Sequence, residues 1–302
     1  MSLRRGAIYA PHSPSKSFAE LLDVLLPGKG GVLTVLHAYF DASSRQTGIF
    51  TVAGLAFAKE QVAKFDKEWW ALFGKYGGCH MKDLTHGTGG FRGISTLGAG
   101  ELLKSAVKII NGRISFGVSV SCNTQELNSL LPTWIQGFEH AYPVCCHLAM
   151  LFLGTHIADN FRGEEIAYFF ETGDDYSASA HKFMQRITQM PVLKEKCLYH
   201  SHSFIEKKDA LSLQAADIWA WEWAKYWDET AFTHSRKMRK SLVALIAKNG
   251  SLDSKRHKIT YLKGDPLKRW AEGIKALGLL EVQERQAKEK PPSASSPSEA
   301  GR

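Results

Sequence analysis

The chain has 302 residues, 44% apolar and 23% charged, a composition that can bury a sizeable core without a disulfide framework or a metal staple. Lys and Arg number 38 against 30 Asp and Glu, and the resulting +8 favours anionic partners such as nucleic acid. Five cysteines, an odd number, argue against a secreted disulfide scaffold and for a reducing, cytoplasmic setting.

In chain order, residues 1–31 read as an arm with one short helix, Ser17 to Leu26, broken by Pro27 and the Gly28–Gly31 run. The basic start has no apolar stretch behind it, because Pro11, Ser13, Lys16 and Glu20 interrupt, so no secretory leader is expected. Val32 to Asp41 is an apolar run of strand length, and Ile49 to Phe57 is a second, joined to it as a hairpin. Lys59 to Phe73 has Val62, Phe65, Trp69 and Phe73 at helical spacing, and Glu101 to Ile110 predicts another helix closed by Asn111-Gly112. Gly77 to Gly100 between them reads as a Gly-rich loop region. Ile114 to Cys122 alternates as a third strand. Ile135 to Asn160 reads as a long apolar helix with a kink expected at Pro143. Within it, Val144 to Ala158 carries His147 and His156 and is too short to span a bilayer. Ile166 to Glu171 reads as a strand, Ser177 to Gln189 a helix, Leu198 to Ile205 a fifth strand, and Leu211 to Trp227 a strong helix.

Two hairpin strands, a helical insertion, a third strand and then alternating helices and strands is the element order of an RNase H-like fold. The expected architecture is α/β: a mixed five-stranded sheet flanked by helices, with the insertion after the first hairpin. It fills 32–280 and includes a basic C-terminal helical part. The last residues, 281–302, are rich in Glu, Lys, Pro and Ser and read as a disordered tail.

Three carboxylates stand where the hydrophobic pattern does not ask for them. Asp41 follows the apolar run of the first strand, and it reads equally as a turn aspartate opening the hairpin. Glu171 ends the fourth strand, where a buried glutamate needs a partner or a metal. Alternatively the strand simply stops there and Asp174 and Asp175 cap the next helix. Asp217 is the sharpest, a mid-helix aspartate among packing residues, with Gln214 on the same helix face. With first and fourth strands adjacent and the last helix across them, the three carboxylates would meet at one end of the sheet. Such a cluster needs hard divalent cations, Mg²⁺ or Mn²⁺, and two such ions can activate water and stabilise the leaving oxygen of a phosphodiester. His80, in the loop region, could shuttle protons or contact a phosphate, and reads equally as an ordinary loop histidine. Cys145-Cys146-His147 lacks zinc spacing, and Gly87–Gly90 lacks the Lys of a phosphate-binding loop.

Residues 230–275 hold eight Lys, four Arg and three acids, so the whole positive excess follows the Asp217 helix. Arg236, Lys237, Arg239, Lys240, Lys255 and Arg256 are its densest part and the candidate nucleic-acid contacts; a solvated basic face is the alternative.

The stretches His37-Ala-Tyr-Phe-Asp41-Ala-Ser-Ser44, His80-Met-Lys-Asp83, Tyr168-Phe-Phe-Glu171 and Leu213-Gln-Ala-Ala-Asp217-Ile-Trp-Ala220 resemble domain of unknown function 3800, over about Leu33 to Tyr226. The resemblance implies an RNase H-like, metal-dependent nuclease site with Asp41, Glu171 and Asp217 as ligands and Gln214 and His80 in the site. The chain departs from that pattern at Ala42, where the family has Glu, and at Ser44, where it has Gly. The reading is a Mg²⁺- or Mn²⁺-dependent nuclease; the rival is a binding module for nucleic acid or protein that kept the fold and lost the chemistry.

Overall fold

A computed structural model describes residues 35–131, 140–161, 163–172, 177–232, 237–248, 251–273 and 275. The expected arm, the tail, Asp174, Asp175 and Arg236 lie outside the described residues. Strands β1 (Val35–Ser44) and β2 (Ile49–Ala58) form the hairpin. Its turn is shorter than the sequence suggests, because Ala42, Ser43 and Ser44 still pair with Val52, Thr51 and Phe50. A ladder needs only backbone donors and acceptors, so small and polar side chains do not end it.

The insertion is helical as expected: α1 (Lys59–Phe73), the short α2 (Met81–His86) and α3 (Thr96–Arg113). Helix α2 corrects the reading of Gly77–Gly100 as loop. Then come β3 (Phe116–Asn123), α4 (Thr124–Leu130) and α5 (Ala141–Asn160). Pro143 lies in the first turn of α5, where its missing N–H costs nothing, so no kink is needed. Strand β4 (Glu165–Glu171), α6 (Ser177–Gln189), β5 (Tyr199–Ile205) and α8 (Leu211–Phe232) complete the expected alternation, with the short α7 (Pro191–Lys196) added between α6 and β5.

The basic segment adds what the sequence did not announce. After α9 (Lys240–Ile246) and a small hairpin of β6 (Ala247–Lys248) and β7 (Ser251–Leu252), strand β8 (His257–Leu262) joins the main sheet. The sheet is therefore six-stranded and mixed, in the order β5-β4-β1-β2-β3-β8, not five-stranded. The basic part is not purely helical either.

Strand alternation splits the core into two layers. Ala38, Phe40 and Phe170 face one side with α5, α6 and α7. Tyr39, Phe169 and Leu55 face the other with α1, α3, α8 and α9. The first half of α5, residues 141–150, is buried on every face, with Val144, Cys145, Ala149 and Met150 at most 1% exposed, whereas Thr155, Ala158, Asp159 and Asn160 near its end are exposed. Helix α8 lies across β1 and β2, and Trp219 Nε1 donates to Val118 O on β3 at 2.8 Å.

Candidate functional site

Strands β1 and β4 run parallel and pair from Val35↔Glu165 to Phe40↔Phe170. Beyond that register they part. Asp41 is the first β1 residue past the pairing, and Glu171 is the last of β4, now paired only with Ile205 on β5. The carboxyl ends of adjacent parallel strands are where open α/β sheets present their ligand-binding side chains. Alternation puts Asp41 on the Tyr39 face, beneath α8, and Asp217 comes down from α8 onto the same spot.

One cation joins all three. The ammonium of Lys207, in the turn between β5 and α8, stands 2.8 Å from Asp41 Oδ2, 2.9 Å from Glu171 Oε2 and 3.4 Å from Asp217 Oδ1. No two of these oxygens are therefore more than about 6 Å apart, a spacing that one or two divalent ions bridge. Asp41 is 2% exposed, Asp217 6%, and Lys207's side chain 17%. Asp41 Oδ2 accepts no hydrogen bond of good geometry, whereas Oδ1 accepts from Ala42 N at 2.7 Å.

Burial raises the Asp41 carboxyl well above the usual carboxylate range; Lys207 pulls it down, and Asp217 and Glu171 push it further up. For Lys207, burial works against the charge, but Asp41, Asp217 and Glu171 outweigh it and hold the ammonium above the ordinary lysine value. With all three carboxylates ionised, as metal binding would require, one ammonium would leave two negative charges uncompensated. That excess is what a hard divalent cation neutralises.

Two backbone segments are tied into the cluster. Asp217 Oδ2 accepts from Met81 N at 2.7 Å, the first residue of α2. Gln214, one turn earlier on α8, accepts from Cys79 N at 2.8 Å and Trp69 Nε1 at 2.9 Å, and its Nε2 donates to Lys207 O at 3.1 Å. Gly78 makes room for that amide: its φ is +114°, and a Cβ there would stand 2.8 Å from Gln214 Nε2. His80 stands at the N-terminal boundary of α2, at the rim, without a side-chain capping bond. Its side chain is 45% exposed, and Nδ1 is 3.7 Å from Asp83 Oδ2 rather than on the carboxylate cluster. Cys79 is buried beside the site, where desolvation and then Asp217 push its thiol up, so no thiolate nucleophile stands there.

The structure thus brings together Asp41, Glu171, Asp217 and Gln214, leaves His80 at the edge, and adds Lys207, which sequence reasoning missed. The Glu206-Lys207-Lys208-Asp209 run looks like an ordinary charged turn; its one signal is its place directly before the Asp217 helix. Ala42 packs with the α5 layer, on the opposite face of the sheet from Asp41. A glutamate at 42 would not enter this cluster, so the departure there removes no ligand from it.

The basic candidates fare differently. Lys237, Lys240 and Lys255 are exposed. Arg239 pairs with Glu222 at 3.2 Å and lies 4.8 Å over the Trp221 ring, whose other neighbour is Arg45, also at 4.8 Å. Arg256 donates from Nη2 to Asn111 O at 3.0 Å and Ile114 O at 2.6 Å. Both arginines hold elements together and have little freedom to grip a phosphate. No family model and no curated protein matches the chain.

Among the described residues no three His, Cys, Asp or Glu side chains already stand at metal-binding spacing. Around Lys207 the oxygens sit at ammonium distances, longer than the roughly 2.1 Å of a Mg²⁺–oxygen bond. By donor type, by charge and by place the carboxylates fit a hard divalent cation.

Proposed function

We propose that the chain is a divalent-metal-dependent phosphodiester hydrolase acting on nucleic acid, with its sheet and helices read as an RNase H-like fold of the kind the resemblance to domain of unknown function 3800 implies. The observation that carries this reading is the meeting of Asp41, Glu171 and Asp217, from three separate elements, where β1 and β4 part. Asp41, Glu171 and Asp217 would hold Mg²⁺ or Mn²⁺, which supplies water activation and charge stabilisation at the phosphorus when bound. Gln214 fixes the turn before α8 and the segment leading into α2, so the walls of the site are set before substrate arrives. His80, half-exposed at the rim and beside Asp83 rather than the carboxylate cluster, would be open to a substrate.

The second reading, a binding module without chemistry, is favoured by one observation: Lys207 already fills the cluster as an internal counter-ion. Two measurements separate them. The first is thermal melting with and without Mn²⁺, since an ion that binds only the native state must raise its stability. The second is cleavage of end-labelled DNA and RNA oligonucleotides by wild type and by the Glu171→Gln and Asp217→Asn variants. Asn at 217 keeps an acceptor for Met81 N–H, so the fold should survive while cleavage drops more than roughly a hundredfold, beyond what outer partners of metal ligands already reach. No Mn²⁺ shift and no cleavage by wild type would favour the binding module.

A further inference from the structure

We infer that Lys207 is a resident cation that competes with the divalent metal: its ammonium holds the three carboxylates together when no metal is present and must swing out when one binds. The inference rests on the metal-centre reading above and concerns what that reading leaves out.

The geometry makes the two occupants exclusive. Lys207 Nζ is within 3.4 Å of an oxygen from each of Asp41, Glu171 and Asp217. A cation bonded to all three oxygens at roughly 2.1 Å would take up the space that the ammonium fills. Charge favours the metal over the lysine, because a divalent ion compensates more of the negative cluster than one ammonium does.

The turn is built so that the head group can leave while the backbone stays. Gln214 Nε2 holds Lys207 O at 3.1 Å, and Asp209 N and Ala210 N both bond to Glu206 O, at 2.9 and 3.3 Å. The lysine head rides on a flexible four-carbon stem, and its side chain is 17% exposed, so one side of the path already opens to solvent. Neighbouring Lys208 takes no part: it pairs with Glu206 on the surface, 70% exposed. An arginine at 207, with a broad planar fork, would not pack among three carboxylates in the same space.

The consequence is an apparent metal affinity lowered by the fraction of time that Lys207 spends in the site. Replacing Lys207 with Met should tighten Mn²⁺ binding by roughly tenfold or more in titration calorimetry. It should also lower the melting temperature of the metal-free protein, in which buried Asp41 and Asp217 and half-buried Glu171 have lost their counter-ion, and Mn²⁺ should restore it. A second measurement uses the unaltered protein. Acetic anhydride labelling read by peptide mass spectrometry should find Lys207 protected without metal and modified several-fold more once Mn²⁺ is added. Equal or weaker Mn²⁺ binding by Lys207→Met overturns the competition and leaves the metal centre standing, with the lysine as a partner of the metal. Metal binding with unchanged Lys207 labelling does the same, and it decides the matter if the variant does not fold. If calorimetry finds Mn²⁺ bound by neither protein, the metal-centre reading falls and this inference falls with it.

Discussion

Asp66 carries the fold's clearest electrostatic cost at a single residue. It is 4% exposed on α1, its Oδ1 has no hydrogen-bond partner, and desolvation raises its carboxyl to about 7. A group whose folded pKa is raised binds its proton more tightly in the folded state. Its stability is therefore intact below the ordinary carboxylate value of about 4 and is lost as pH rises from there through about 7. The linkage amounts to something on the order of 4 kcal/mol by pH 8. Asp66→Asn, neutral at every pH, should melt higher than wild type at pH 8 and close to it at pH 4. Parallel melting curves for the two proteins across that range would mean that Asp66 finds compensation on ionising. At this scale the sequence was partly legible. Asp41 and Glu171 stood out at the ends of apolar runs and Asp217 inside one, and burying a carboxylate needs a reason. Asp66 sits on a helix with charged neighbours, and Lys207 in a charged turn, so nothing in composition or periodicity marks either one.

Among elements, the core strands and helices were legible and β8 was not. Strands β1 to β4 and helix α8 are apolar runs or clean alternations bounded by turn residues, and β5 follows from its place between two helices. His257-Lys-Ile-Thr-Tyr-Leu262 is an edge strand in a basic stretch, and its neighbour supplies the fit: a Cβ on Gly117 of β3 would stand 2.8 Å from His257 Nδ1. A tertiary contact of that kind leaves no local trace. A similar close approach sits next to the candidate site. Gly54 of β2 faces Phe40 of β1, and a Cβ there would fall 2.4 Å from the Phe40 ring. That ring is 1% exposed and stacked on Phe170 at 5.4 Å, so it has nowhere to retreat. Gly54→Ala should cost about 1–3 kcal/mol in urea denaturation, the range of overpacked cores. Because Phe40 precedes Asp41, the same change should weaken Mn²⁺ binding. A variant as stable as wild type would mean the sheet bends locally to admit the methyl group.

At the scale of the whole molecule, the question is where a polyanion would lie. The positive excess was legible as a count, but a count does not say which charges are free. The register places Asp41 level with Ala53, Ser119 and Ile259, so Lys255 sits four residues short of that level and three strands away, roughly 20 Å. That is the width of a duplex, not the reach of one phosphate. Arg239 and Arg256 are committed to Glu222, Trp221 and backbone carbonyls. Of the candidate nucleic-acid contacts, Lys237, Lys240 and Lys255 remain exposed and uncommitted to a buried partner. If a nucleic acid runs from the carboxylate cluster over these lysines, its affinity should fall steeply with salt, because each phosphate neutralised releases a counterion. Changing the three lysines to Gln should flatten the slope of log K against log salt by about 0.7 to 0.9 for each phosphate that is no longer neutralised. Melting temperature and Mn²⁺ affinity should stay as they were, since none of the three touches the cluster or a buried partner. Arg256→Gln makes the contrasting control: it frees the Asn111 and Ile114 carbonyls and should lower the melting temperature whatever it does to binding. A short oligonucleotide titrated at several salt concentrations reads the slope directly. An unchanged slope in the triple variant would move the path away from these lysines.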